Sequence, residues 1–401
     1  MKIPNKKIRA YALKNAIHYN GKANSGSVIS ALFNEGMKKS EIKGYANVVA
    51  EIVKEVNSIS LEEQEKEFKK LESQVSEREE REGLPKLPDV GKKGVVMRFA
   101  PSPSGAMHIG HAITACLSFD YVMKYGGKFI VRIEDTNPEN IYPLAYKLLE
   151  KDSDWLFDGK AEIVIQSDRM DLYYGYAVSL IEKNFAYVCT CSQEKFKKFS
   201  EFKENCPCRN NDLKENLYRW KKMLDKKGYK EGEAVLRFKS PKGMQDPNPA
   251  MRDFPLARIN ATKHPRQKNK YRIWPLMNLC VSVDDIEMKM THVIRAKEHM
   301  DNAKRQKMIF DVLGKKFPWT CFLGRYHFKD LELSASKITQ GIKDGKYSGW
   351  DDSNLPTLAT LKKKGYKPQA FWKFAEHRGI SEVDKILDSK EFFKLLDSFN
   401  Q

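Results

Sequence analysis

A strand, a turn, a helix and a second strand follow one another within about 40 residues of this chain. The apolar runs GVVMRFA at 94–100 and KFIVRIED at 128–135 predict the two strands. Between them, HIGHAITACLSFDYVMKYGG at 108–127 has the apolar spacing of a helix and ends in two glycines. This order predicts a βαβ unit, and hence an α/β fold with a parallel sheet. Ligands bind beyond the carboxyl ends of such strands, where the turn at 101–107 and EDTN at 134–137 lie.

Two histidines, His108 and His111, lie three residues apart at the predicted start of this helix. Residues at that spacing share one face of the first turn, where the amide groups lack helical partners and the macrodipole is positive. Such an end attracts phosphate, and imidazoles there can donate to its oxygens. Gly110 leaves room for a flat base beside the backbone. A phosphate site is therefore favoured over a plain helix start or a metal site, since no H-E-x-x-H pattern is present.

The charge balance favours a polyanionic partner. The 401 residues contain 71 Lys and Arg against 53 Asp and Glu, a net charge of +18. This excess is typical of nucleic-acid binding, although lysines that only keep a protein soluble produce the same composition. No apolar run of about 18 residues predicts a membrane span, and the N-terminus lacks the pattern of a secretory signal. An odd total of seven cysteines without such a signal predicts reduced thiols in the cytoplasm.

Two C-x-C pairs, CTC at 189–191 and CPC at 206–208, are separated by 14 residues. Four thiolates converging from two short loops fit a tetrahedral structural Zn²⁺. The predicted ligands are Cys189, Cys191, Cys206 and Cys208. The usual zinc knuckle is C-x-x-C, so reduced structural cysteines remain the alternative.

Several ordered blocks carry a family resemblance. RFAPSPSGAMHIGHA with VRIEDTN resembles the ATP-binding signature of class I aminoacyl-tRNA synthetases in their glutamyl/glutaminyl branch. EGEAVLRFK, DPNPAMRDFPLARI, KYRIWPLMNLCVSVDD, THVIRAKEHMDN and SASKITQGIKDGKYSGWDD resemble, in this order, blocks of the archaeal-type glutamyl-tRNA synthetases. The resemblance covers nearly the whole chain. It implies a ligase that activates L-glutamate with ATP and Mg²⁺ once tRNA is bound, and then transfers it to the 3′ end of tRNA(Glu); charging of tRNA(Gln) stays open.

The resemblance also implies a Rossmann-like catalytic domain that is split by an inserted acceptor-end-binding domain. Its halves are predicted at 91–188 and 271–330. The irregular stretch at 189–270, rich in Lys, Cys and Pro, is the predicted insert. A helical extension that ends in a charged, Pro- and Gly-broken linker is predicted at 1–90, and a helical module that contacts the tRNA stem at 331–401.

In this family the HIGH motif holds ATP together with a flexible second signature, KMSKS. SASKI at 334–338 is the equivalent here: Ser336 and Lys337 match and the other three letters depart. The alternative alignment, LSASK, would put Ala335 at the catalytic lysine. A mobile lysine stabilises the charge of departing pyrophosphate, so His108, His111 and Lys337 are the predicted catalytic residues. The predicted ATP-binding residues are Ala100, Pro101, Gly105, His108, Gly110, His111, Ser336 and Lys337.

A glutamate pocket must satisfy a buried side-chain carboxylate, which an arginine fork does well. By resemblance, Arg98 and Arg295 bind that carboxylate and Glu134 binds the α-amino group. Ser102 matches a pocket serine, and Met277 stands where bacterial members have a tyrosine. An arginine that follows a strand is also often an ion-pair partner, which is the alternative for both arginines.

The C-terminal region raises two open questions. Trp350, Tyr366, Phe371 and Trp372 are interleaved with lysines, so they are either RNA contacts or core residues. Full-length members continue into β-barrels that read the anticodon, and no such series of strands is predicted here. A separate anticodon-binding polypeptide, a cut chain or an enzyme without that domain would each explain this.

Two other functions are compatible with the sequence. A shortened paralogue that glutamylates a modified tRNA base also lacks the barrel, although that compact group lacks the N-terminal extension and the SGWDD module. A non-catalytic tRNA-binding protein that kept the fold would explain the divergent SASKI.

Overall fold

A computed structural model describes residues 3–33, 35–37, 39–76 and 83–401, and the chain divides into two compact units, Met1–Glu82 and Gly83–Gln401. The described part of the first unit is helical, with α1 (Asn5–His18), α2 (Ser25–Phe33), α3 (Ile42–Val56) and α4 (Leu61–Leu71). Helix α4 begins with a capping box, in which Ser60 accepts from the Glu63 amide and Glu63 accepts from the Ser60 amide. The four helices enclose an apolar core of their own.

The second unit combines helices and strands. Its strands are β1 (Val95–Phe99), β2 (Gly127–Ile133), β3 (Ala161–Ile165), β4 (Ala186–Cys189), β5 (Val235–Phe238), β6 (Pro255–Ile259), β7 (Ile273–Pro275), β8 (His292–Ala296), β9 (Trp319–Leu323), β10 (Tyr326–Phe328) and β11 (Lys385–Leu387). Its helices are α5 (Ile109–Tyr125), α6 (Ala145–Leu156), α7 (Met170–Glu182), α8 (Gln193–Phe202), α9 (Leu213–Leu224), α10 (Met277–Glu287), α11 (Met300–Val312), α12 (Ala335–Lys343), α13 (Leu358–Lys363), α14 (Pro368–Arg378) and α15 (Ser389–Phe399).

The predicted βαβ unit is confirmed. Strands β1, β2 and β3 form a parallel sheet in that order, and α5 connects β1 to β2. The second glycine of the GG pair is required by this pairing: Gly127 has φ +118°, and a Cβ there would lie 2.0 Å from the carbonyl oxygen of Val95. The parallel pair β8–β9 lies beside β1, where the Thr291 amide donates to the Val96 carbonyl at 3.0 Å.

Strands β4 to β7 form a separate antiparallel sheet. Its apolar face packs with α7 and α10 around a core that includes Trp274 and Phe238. The chain enters this sheet after α7 and leaves it before α10. Because the sheet shares a core with both helices, the segment between them is held at both ends.

The aromatic side chains near the C-terminus support the core alternative rather than RNA contact. Phe371 and Trp350 are buried, and Trp372 donates its indole N–H to the Leu156 carbonyl at 2.8 Å. Helix α14 packs along α5. The helix that begins at HIGH is therefore packed against a helix from the C-terminal part of the chain. Among the described residues, no helix is both long and apolar enough to cross a membrane.

Candidate functional site

The carboxyl ends of β1, β2 and β8 bring a cluster of charged side chains together, as expected for a parallel sheet. Helix α10 contributes two adjacent carboxylates to the same cluster. Four arginines and three carboxylates form it: Arg98, Arg132, Arg169, Arg295, Glu134, Asp284 and Asp285.

Asp285 pairs with two buried arginines at once. Its Oδ1 is 2.9 Å from Nε of Arg98 and 2.7 Å from Nη1 of Arg132, and its Oδ2 is 3.4 Å from Nη2 of Arg98. Burial would raise the pKa of Asp285, but Arg98 and then Arg132 outweigh burial and lower it. Arg98, predicted as a glutamate ligand, is therefore already held by a carboxylate, as the ion-pair alternative requires. Among the described residues, its Nη1 has no hydrogen-bond partner.

Glu134 is oriented by Arg132 and by the turn after β1. Its Oε1 accepts from Nη2 of Arg132 at 3.1 Å, and its amide donates to the Pro101 carbonyl at 2.9 Å. The Glu134 side chain is 16% exposed, so it keeps access to solvent. The fully buried Asp284 is saturated by Gln166, Arg169 and Tyr173, each within 2.8 Å. Arg132, itself beside Asp284, thus holds the Glu134 carboxylate in a fixed orientation.

Arg295 differs from the other three arginines because no carboxylate in the described part of the chain pairs with it. It is 9% exposed, and its Nη1 donates to the neutral Oε1 of Gln306 at 2.8 Å. Its Nε is buried and has no partner among those residues. Burial, and then the positive charge of Arg98, lowers the pKa of Arg295 to about 10, so it stays charged at neutral pH. The cluster thus holds one positive charge that a ligand must balance.

The two histidines of HIGH stack on each other at the start of α5. Their ring centroids are 3.8 Å apart with an angle of 20° between the planes. Nδ1 of His108 accepts from the Gly110 amide at 3.1 Å, so neutral His108 carries its proton on Nε2. Burial lowers the pKa of His111 to about 4, and burial together with His111 lowers that of His108. Both imidazoles are therefore neutral at pH 7. Nδ1 of His111 is buried without a partner among the described residues.

The first amides of α5 are not free, which differs from the argument made from the sequence. The Ile109 amide donates to the Pro356 carbonyl, that of Gly110 to the His108 ring, and that of His111 to the His108 carbonyl. The segment before α13 runs alongside the HIGH motif and takes the first of these groups. A phosphate here would therefore meet the imidazoles and the helix dipole rather than open amide groups.

Two glycines predicted to contact ATP also have packing roles. A Cβ on Gly105 would lie 2.1 Å from the Trp350 ring, so only glycine fits beneath that indole. A Cβ on Gly110 would lie 3.1 Å from the His108 ring and 3.6 Å from Cδ1 of Leu333. The loop that precedes SASKI therefore lies beside HIGH.

Lys337 lies in the first turn of α12. Its Nζ is 3.1 Å from Oε2 of Glu332, and its side chain is 73% exposed. Ile338 is buried against Ala106 and Trp350, which explains an apolar residue where the family's KMSKS signature has serine. Oγ of Ser336 is 3.0 Å from Oγ of Ser334.

The remaining predicted ligands differ in their exposure. Ser102 is exposed, Ala100 is half-buried, and Pro101 is buried with its carbonyl bound to Glu134. Met277 begins α10 and is 38% exposed. None of these residues is charged, so none of them balances the charge of the cluster.

The four predicted zinc ligands come together. The sulfur of Cys206 is 3.5 Å from that of Cys189 and 3.3 Å from that of Cys191, and the four sulfurs lie within 4.8 Å of one another. Tetrahedral Zn–S bonds of about 2.3 Å require sulfur–sulfur edges of about 3.8 Å. Arg219 donates to the Cys208 sulfur at 3.4 Å, which favours a thiolate there.

Four residues of the cluster were not identified from the sequence: Arg132, Arg169, Asp284 and Asp285. Gln306, which contacts Arg295, was not identified either. The adjacent carboxylates within the apolar helix NLCVSVDDIE were a usable signal, because buried carboxylates require cationic partners. Nothing local marks Gln306, whose importance comes only from its contact with Arg295.

A family model for the catalytic domain of class I tRNA synthetases (E and Q) matches residues 94–398. The chain is 44% identical over 379 residues to a glutamate–tRNA ligase of Methanocaldococcus jannaschii, covering 94% of this chain and 68% of that protein. It is 42% identical over 388 residues to one of Methanothermobacter marburgensis, covering 96% of this chain and 69% of that protein.

A solved structure with a similar fold is a glutamate–tRNA ligase from Elizabethkingia meningosepticum in complex with its amino acid, with a TM-score of 0.54 and 20% identity. The match covers 76% of this chain and 68% of that one. It confirms the predicted Rossmann-like α/β fold. The family model and the two archaeal relatives indicate the same family on the basis of sequence. The predicted family is confirmed: this chain belongs to the class I tRNA synthetases (E and Q), catalytic domain.

Proposed function

We propose that the chain is a glutamate–tRNA ligase. The α-carboxylate of L-glutamate attacks the α-phosphorus of ATP, pyrophosphate leaves, and the adenylate is then attacked by a ribose hydroxyl at the 3′ end of tRNA(Glu), which releases AMP. The observation that carries this proposal is the buried, uncompensated charge of Arg295 beside Glu134. A substrate with a side-chain carboxylate and an α-ammonium group would balance the charge of Arg295 with the first and that of Glu134 with the second.

In this proposal Arg295 binds the side-chain carboxylate and the free Nη1 of Arg98 assists it. Glu134 binds the α-ammonium group through the oxygen that Arg132 does not use. Arg98 and Glu134 are held by ion pairs and Arg295 by its hydrogen bond to Gln306. Because the three groups are fixed before the substrate arrives, glutamate would be oriented with its α-carboxylate toward HIGH and with little loss of freedom on binding.

The stacked histidines would receive the nucleotide. His108 has its Nε2–H free to donate to a phosphate oxygen, and His111 has an unpartnered buried Nδ1. Lys337 would exchange Glu332 for the pyrophosphate end of ATP and stabilise its charge as it leaves. Mg²⁺ would accompany ATP and neutralise part of the phosphate charge.

A single assay separates this proposal from its rivals. We expect glutamate-dependent exchange of pyrophosphate into ATP when tRNA(Glu) is present, and transfer of labelled glutamate to that tRNA. Ribonuclease A digestion of the product should release the label as glutamyl-adenosine, whereas a paralogue that modifies a tRNA base would leave the label on an internal nucleotide. A folded protein without exchange under any condition would contradict a synthetase. Transfer to tRNA(Gln) in parallel tests the wider substrate range.

The cysteine cluster would hold a structural Zn²⁺ through Cys189, Cys191, Cys206 and Cys208. Its position between β4 and α9 would stabilise the 189–270 segment, which we propose binds the tRNA acceptor end. Lysines near the cluster support contact with phosphates: Lys195, Lys197, Lys198 and Lys203. The 331–401 module as a stem contact and a cytoplasmic location belong to the same proposal.

Zinc occupancy has a direct test. Metal analysis should find about one Zn²⁺ per chain, and Cys206→Ser should lose it and lower the unfolding temperature, because metal-binding energy contributes to folding. Cys321→Ser, outside the cluster, is the matched control and should keep the metal. A purified protein without stoichiometric zinc would contradict the site.

A further inference from the structure

The neutral partner of Arg295 is itself unusual. Gln306 lies on α11 and is 1% exposed, and its Oε1 accepts from Nη1 of Arg295 at 2.8 Å. A buried arginine is normally paired with a carboxylate. Arg98 and Arg132 both pair with the carboxylate of Asp285. Arg295 instead contacts the side-chain amide of Gln306.

The pair also leaves two buried donors without acceptors. Nε of Arg295 and Nε2 of Gln306 have no hydrogen-bond partner among the described residues. A buried donor without an acceptor is costly, so the pair is incomplete until an oxygen-rich group joins it. A carboxylate offers the required acceptors, whereas the amide of glutamine offers one oxygen and two further donors.

We propose that Gln306 is the positioning residue that sets discrimination between glutamate and glutamine. Its Oε1 fixes the orientation of the Arg295 guanidinium, and its neutrality leaves the arginine's charge for the ligand. A carboxylate at position 306 would hold the guanidinium equally well but would neutralise it. The inference rests on the proposed function. It assigns the amino-acid specificity of that site to a residue that acts through Arg295 and need not touch ATP.

Gln306→Glu tests this inference with almost no change in side-chain volume. We expect KM for glutamate to rise at least about 100-fold with a much smaller change in kcat, because a competing buried carboxylate replaces the ligand's. The ratio of exchange rates with glutamate and glutamine should shift toward glutamine by a similar factor. The unfolding temperature should not fall, because the new carboxylate pairs with Arg295.

Two further variants separate positioning from simple structure. Gln306→Met removes the hydrogen bond without adding charge, so it should raise KM for glutamate about 10-fold and leave glutamine excluded. Lys307→Gln, on the exposed side of the same helix, should change nothing. Wild-type KM and discrimination in Gln306→Glu, with an active wild-type enzyme, would overturn the inference alone. An inactive wild-type enzyme would overturn the proposed function, and the inference with it.

Discussion

Replacement of Arg295 by methionine is expected to reduce glutamate-dependent pyrophosphate exchange by at least about 1000-fold, because the substrate carboxylate would enter a buried site without a counter-charge. The same change should not destabilise the fold. No carboxylate in the described residues pairs with Arg295, and burial lowers its pKa to about 10. Removing a buried charge that has no partner relieves its desolvation, so the unfolding temperature should stay level or rise.

This combination distinguishes a ligand-binding arginine from a structural one. Loss of a structural ion pair lowers stability and activity together, whereas loss of Arg295 should lower activity without lowering stability. Arg295→Lys keeps the charge but not the fork, and should retain a small part of the activity. Arg9→Met, which breaks ion pairs with Glu55 and Glu67 in the first unit, is the matched control and should leave exchange unchanged. Normal exchange by Arg295→Met would remove the basis for a glutamate pocket.

The local patterns of the sequence predicted the frame of the site well. Alternation of strand and helix texture around HIGH placed His108 and His111 at a helix start and Glu134 near the carboxyl end of the next strand. In the structure α5 begins at Ile109, and β2 ends at Ile133, one residue before Glu134. The spacing of the two C-x-C pairs predicted that four sulfurs would meet, because short loops allow little else. These predictions rest on contacts between residues that are close along the chain.

Contacts between distant residues could not be predicted in the same way. Asp285 pairs with Arg98, 187 positions away, and the Pro356 carbonyl takes the Ile109 amide that the sequence argument left free for phosphate. Such partners depend on how α10 and the segment before α13 fold back on the sheet. The sequence therefore indicated which side chains are charged, but not which charges cancel. That distinction separates Arg98, already paired, from Arg295.

The pairing of Asp285 leads to the second large prediction, which concerns stability. Asp285→Asn should destabilise the protein by about 3–5 kcal/mol, because it leaves two buried guanidinium groups facing a neutral amide. For a unit of this size the unfolding temperature should fall by about 10 °C. Since Arg132 would also lose its anchor, Glu134 should be held less firmly and KM for glutamate should rise as well.

A second substitution tests whether the loss comes from unbalanced charge. In Asp285→Asn combined with Arg98→Met, one uncompensated guanidinium is removed, so part of the stability should return and the two effects should not add. Thermal unfolding of the wild type, both single variants and the double variant measures this coupling. Additive losses would mean that Asp285 acts through packing alone. A positive coupling would mean that α10 stabilises the sheet edge because Asp285 balances the charge of the buried arginines.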